Sequence, residues 1–206
     1  MVEAVLHGVI LAIGLILPLG AQNVFVFNQG ALQPRFVRAL PVVITAGICD
    51  TILIVAAVSG VSLLILTFHW LETTMFAVGI LFLLYIGISL WRSAPSSMEA
   101  EVERFSPKRQ ILFAASVSLL NPHAIIDTIG VIGSNALSYS GEARFAFTLT
   151  TIIISWCWFV GLALAGRVLG KLDTSGKFIG MLNKISAVVV WAVAIYMAIR
   201  LLGKFI

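Results

Sequence analysis

The sequence predicts an all-α integral membrane protein, built from six transmembrane helices arranged as two inverted three-helix repeats. Three observations lead there: an extreme composition, six long apolar runs, and a lopsided distribution of loop charge. Of 206 residues, 60% are hydrophobic and only 11% are charged, and the mean hydropathy is +1.08. One soluble core could not hide so much apolar surface, so the bilayer must be the solvent. The apolar runs lack the alternating polar residues of a membrane barrel, which leaves helices as the way to satisfy the backbone in lipid.

A spanning helix needs roughly 20 mostly apolar residues. Six stretches qualify: Val5 to Phe27, Leu40 to Leu66, Thr73 to Trp91, Ile111 to Ser134, Phe145 to Val168 and Ile179 to Leu202. The first is not read as a secretory signal, because Met1 to Gly8 carries Glu3 without Lys or Arg and Pro18 interrupts the run. The chain then divides into a first repeat over 1–92, a linker over 93–109 and a second repeat over 110–206. With an odd number of spans per half, two related halves must be inserted upside down relative to each other.

Charge sets the expected orientation. Arg35, Arg38, Arg92, Arg104, Lys108, Arg109, Arg167, Lys171, Lys177 and Lys184 fall on one side, and Arg144, Arg200 and Lys204 on the other, which divides the 13 Lys and Arg ten to three. By the positive-inside rule the loops after spans one, three and five, including the linker, are cytoplasmic and both termini face outward. The net charge of +4 reflects this topology rather than nucleic-acid binding. Cys49 and Cys157 lie inside spans without a CxxC, so neither a disulfide framework nor a zinc knuckle is expected.

The chemistry concentrates at two helix breakers. Pro18 lies in Leu17-Pro18-Leu19-Gly20-Ala21-Gln22-Asn23 and Pro122 in Leu120-Asn121-Pro122-His123, with Asp127 following; superposing the prolines sets Asn23 opposite Asp127. A mid-helix proline removes one backbone bond, so Pro18 should free the carbonyl of Gly14 and Pro122 that of Ser118. At membrane depth such irregular backbone is tolerated chiefly where it lines a cavity; the plainer alternative is a static kink. Gly20 adds slack beside the first break.

Asp50 and Asp127 are the costly residues. An ionised Asp near a helix centre costs about 2.5 to 3.5 kcal/mol on insertion scales, and no span offers a central Lys or Arg to offset it. The carboxylates hold protons, are reached by a long side chain, or take their cationic partner from the cargo. His123 lies four residues before Asp127 and can share its face, either relaying protons or satisfying a polar neighbour. A metal site would want more ligands, so no metal and no cofactor is expected. Gln22, Asn23 and Asn121 can donate and accept, as a zwitterionic cargo requires. Gly161 with Ala165, Gly166 with Gly170, and Gly79, Gly87, Gly130 and Gly133 allow close helix approach. Trp70, Trp91, Trp156, Trp158 and Trp191 are expected as interfacial anchors or bundle filler, with Trp156 and Trp158 able to reach a cavity.

The run from Leu17 to Asn23, then Asn28-Gln29-Gly30, Asp50, Leu120-Asn121-Pro122-His123 and Asp127-Thr128 resemble the LysE-type exporters of lysine and arginine, and the resemblance covers essentially the whole chain. Where related sequences carry a Pro-Leu-Gly-Pro run, this chain has Ala21 in place of the second proline. The resemblance implies a secondary transporter, not an enzyme, that exports basic amino acids across a prokaryotic plasma membrane in exchange for protons, with Asn23, Asp50, Asn121, Pro122 and Asp127 as its functional core. Association with further copies of the chain stays open. The rival readings are a thiol-disulfide conduit using Cys49 and Cys157, a metal-ion exporter and a non-transporting scaffold.

Overall fold

A computed structural model of the chain describes residues 1–16, 20–60, 73–74, 77, 80–81, 83–85, 87–88, 91, 105–119, 125, 128–172 and 177–203, the last stretch with only part of its side chains. Among the described residues there is no strand, as expected for a chain that must satisfy its backbone in lipid. Helix α1 runs Val2–Ile16, α2 Ala21–Leu32, α3 Leu40–Val58, α4 Pro107–Leu119, α5 Gly141–Leu172 and α6 Lys177–Leu202. Phe36–Val58, which joins a 3-10 turn to α3, and Gly141–Leu172 are each long and apolar enough to cross a membrane; α1 and α2 pass the same test together as a pair bent by 81°. The described residues from 73 to 91 are helical.

The expected spans need three corrections. The first is two helices, α1 and α2, rather than one, set at 81° to each other. The second stops at Val58, well short of Leu66: Ser59 caps it, donating its backbone N–H to the Val55 carbonyl, and Gly60 at φ +73° turns the chain out of the helix. Hydropathy cannot register that stop, because apolar residues continue past it. In the fourth, Thr128–Gly133 is wound as a π-helix rather than an α-helix, before a last turn at Ser134–Ala136. Ser134 Oγ donates to the carbonyls of Gly130 and Val131, and Asn135 Nδ2 donates to Val131 O at 2.7 Å, so side chains absorb the slack of the wide turn.

Helix α5 is the axle of the bundle. Against α2 it packs backbone to backbone: a Cβ added at Gly30 would run into Ala163, one at Gly166 into Phe27, and one at Gly170 into Ala31. Close approach of this kind is how helices associate where lipid is as apolar as Leu. Gly166 and Gly170 thus act as expected. Gly161 and Ala165 do not, since both are exposed and a Cβ at Gly161 meets nothing within 4 Å. Gly87 lies against Trp191 and Gly133 against Ala57, Gly130 has open space, and Gly79 lies outside the described residues. At the far end of α5, Gly8 of α1 sits on Phe147 and Thr150, and the His7 ring bonds the Tyr139 hydroxyl at 2.9 Å.

At the end where α2 finishes and α4 begins, a polar and aromatic plug ties the two halves together. Gln33 Nε2 and Gln110 Nε2 both donate to the Phe105 carbonyl, at 3.1 and 2.9 Å, and Gln110 Nε2 also donates to Arg38 O at 3.0 Å. Phe25, Phe105 and Phe113 cluster around them with ring centroids 4.0 to 5.7 Å apart, and Arg109 covers the Phe105 ring. Gln110 is fully buried, so its bonds face no competition from water. Gln110→Ala should therefore lower stability by about 1–3 kcal/mol, seen as a fall of at least about 2 °C in the melting temperature of the detergent-solubilised protein. An unchanged melting temperature would show that the plug is ornamental.

Candidate functional site

The candidate site lies where α2 begins, midway along α3 and midway along α5. Helix α3 presents Gly47, Asp50 and Thr51 on one face, by the three- and four-residue spacing of a helix. The facing turn of α5 presents Ser155 and Trp156. Ser155 Oγ–H donates to Asp50 Oδ2 at 2.6 Å, a short bond of the strength expected for a charged acceptor. Trp156 Nε1–H donates to Thr51 Oγ1 at 3.1 Å, while Thr51 Oγ1 donates to the Gly47 carbonyl at 2.7 Å. The indole can lie this close only because residue 47 has no side chain, since a Cβ there would collide with the ring. Trp156 is therefore a fixed wall beside the carboxylate.

Asp50 is within one turn of the midpoint of Phe36–Val58 and remains partly exposed. Its partners among the described residues are neutral: Ser155, and the Gln22 carboxamide lying alongside. Gln22 is not fully engaged, because its Nε2 is buried without a hydrogen-bond partner. Helix α2 restarts at Ala21 with Gly20 as its N-cap, and no side chain caps it. The positive end of α2, where backbone N–H groups lack helical partners, thus opens next to a negative group on α3.

The structure brings together Gln22 and Asp50 from the residues expected at the site. Asn23 is buried and partly committed: its Nδ2 donates to Ile16 O at 2.9 Å and so closes the end of α1. Pro18, Asn121, Pro122, His123 and Asp127 lie outside the described residues. Their neighbours are placed, however: Ile125 packs with Leu53 and Ala57, and Ile132 with Ile54, so this part of the second half lies along α3 just beyond Asp50. Ser155, Thr51 and Trp156 were missed as a constellation. Their signal was polar side chains at four-residue spacing, Thr151 and Ser155, within an otherwise apolar run.

Cys49 is buried against Ser118 of α4, and Cys157 is exposed on α5; both thiols are free. The conduit reading gains no support from this placement. Trp158, the other tryptophan expected near a cavity, packs on the cluster of Phe25, Val42 and Phe159 instead. Trp191 fills the notch at Gly87 and stacks near Trp91, with ring centroids 5.5 Å apart.

An apolar helix bundle with a sharply bent helix pair and a carboxylate partly exposed at mid-depth defines a membrane transport protein. Comparison with known proteins narrows the class. The model of the LysE type translocator family matches residues 13–201. YisU of Bacillus subtilis (strain 168), described as a candidate amino-acid transporter, is 53% identical over 199 residues, covering 97% of this chain and 90% of its own. The arginine exporter protein ArgO of Escherichia coli (strain K12) is 33% identical over 196 residues, covering 93% and 92%. The ArgO of Pectobacterium carotovorum (strain PC1) is 34% identical over 197 residues, covering 94% and 95%. No solved structure matches the chain. The chain belongs to the LysE type translocator family.

Proposed function

We propose that this chain exports basic amino acids, L-lysine or L-arginine, across a prokaryotic plasma membrane in exchange for protons, through a site centred on Asp50. The observation that carries the reading is a carboxylate within a turn of the middle of a crossing, held by Ser155 and flanked by Gln22, with no cation beside it among the described residues. A charge so placed is costly unless something positive comes to it, and an ammonium or guanidinium group in transit is such a partner. The open start of α2 suits the other end of the same cargo, since a helix N-terminus favours a carboxylate. Two relatives named as arginine exporters agree with a cationic cargo.

Proton exchange follows from the same cost. When the cargo leaves Asp50, a proton arriving from outside neutralises the carboxylate, and its departure to the cytoplasm readies the site for the next cation. In the second half, Asn121, His123 and Asp127, which flank Pro122 in the chain, are the counterparts proposed for binding and proton transfer. The whole chain would make six crossings as two inverted repeats, 1–92 and 110–206, joined by the cytoplasmic linker 93–109, with both termini outside. The ten-to-three division of Lys and Arg supports that orientation.

The test is efflux from liposomes carrying the purified protein and loaded with labelled lysine, arginine or leucine. Lysine or arginine should leave faster than from protein-free liposomes, faster still with acid outside, and leucine should stay. Efflux of neither basic amino acid removes the substrate assignment; efflux indifferent to the pH gradient removes the proton coupling.

A further inference from the structure

The last turn of α3 and the first two turns of α5 enclose an open cavity of about 300 Å³ lined by Val55, Val58, Ser59, Arg144, Phe145 and Thr148. We infer that this groove binds an anionic phospholipid, its phosphate on Arg144 and an acyl chain along Val55, Val58 and Phe145.

Depth argues for a lipid. Helices α3 and α5 run antiparallel, with Asp50 paired to Ser155, so Arg144 lies eleven residues from Ser155, or about 16 Å along the axis at 1.5 Å per residue. From a mid-membrane carboxylate that distance reaches the edge of a hydrocarbon core roughly 30 Å thick, where phosphates lie. The 32-residue α5 is long enough, at about 48 Å, to carry its first turn into the headgroup layer.

Charge and shape agree. Arg144 Nε is buried without a hydrogen-bond partner, and among the described residues the guanidinium makes no ion pair. Glu142, the nearest acid along α5, is exposed and does not reach it. The C-terminal end of α3 and the N-terminal end of α5 face each other here, so their backbone dipoles offset and the guanidinium sets the sign. A planar donor fork of this kind matches a phosphate. The rest of the lining is almost wholly apolar, which suits an acyl chain and not a soluble anion. At the small end of the roughly 300 to 1,000 Å³ range of ligand pockets, the groove takes a headgroup and the start of a chain, with the remainder lying along the outer face of the bundle.

The experiment measures the melting temperature of the full-length protein in a mild uncharged detergent, with additions of short-chain phosphatidylglycerol, phosphatidylcholine of the same chains, or inorganic phosphate. Phosphatidylglycerol should raise it, and the other two should not. Arg144→Gln should abolish the rise while Arg144→Lys keeps part of it; should Arg144→Gln not fold, Val58→Trp, which fills the groove and leaves the charge, should abolish it instead. An equal rise with phosphatidylcholine, a rise with phosphate alone, or a rise that survives both Arg144→Gln and Val58→Trp would overturn the assignment.

Discussion

Asp50→Asn is expected to fold and insert as the parent does and to lose efflux of lysine and arginine by about ten- to a hundredfold. Asparagine keeps the shape of the side chain and an oxygen to accept the Ser155 hydroxyl, so the contact between α3 and α5 survives. Removing a charge from the middle of a crossing costs the fold nothing, because the ionised form is the expensive one. What disappears is the attraction for a cation. An interaction with a charged group contributes about 1.5–3 kcal/mol, and each 1.4 kcal/mol is a factor of ten, which gives the stated range. Labelled efflux from liposomes at matched protein content checks it. Should the variant transport lysine and arginine at the parent's rate, Asp50 is a structural acid and the cargo path lies elsewhere.

The second large effect is on folding. Gly166→Leu should destabilise the bundle by about 1–3 kcal/mol or more, because its first added carbon already collides with the backbone of Phe27 and no rotamer of Leu removes that carbon. Backbone cannot swing aside as a side chain can, so α2 and α5 must separate, and Gly30 loses its seat on Ala163 as they do. Gly161→Leu is the internal control: it lies on the same helix, exposed, with open space where the side chain would go. Thermal unfolding monitored by size-exclusion recovery should show Gly166→Leu falling well below the parent and Gly161→Leu matching it. Equal recovery of the two would mean that the α2–α5 contact does not limit stability. Because α2 also carries Gln22 beside Asp50, an α2 pushed off α5 would loosen the candidate site as well.

How far the sequence could see is clear from single residues. Asp50 stood out because its cost in lipid is independent of what packs around it, and the structure leaves it with neutral company only among the described residues. Gln22 was legible for its position just past a breaker. Ser155 was not, since one hydroxyl in an apolar run is common and only the antiparallel pairing of α3 with α5 decides that it meets a carboxylate. Gly166 and Gly161 both sat in small-residue spacings of the same form, and the spacing could not distinguish the one facing α2 from the one facing outward. Gly60, beyond which the second span was expected to continue, ends it through a backbone angle that composition does not encode.

Hydropathy and charge are local properties of the chain, so the amino-acid sequence alone determined that this is a helical membrane protein with an acid at mid-depth. Which helix turns which face to which neighbour is a property of packing. The tertiary structure therefore decided that Ser155 and Trp156 frame Asp50, that Asn23 closes the end of α1, and that Arg144 opens into a groove. Each of those outcomes depends on contacts between residues far apart in the chain, made possible where glycines let backbones meet.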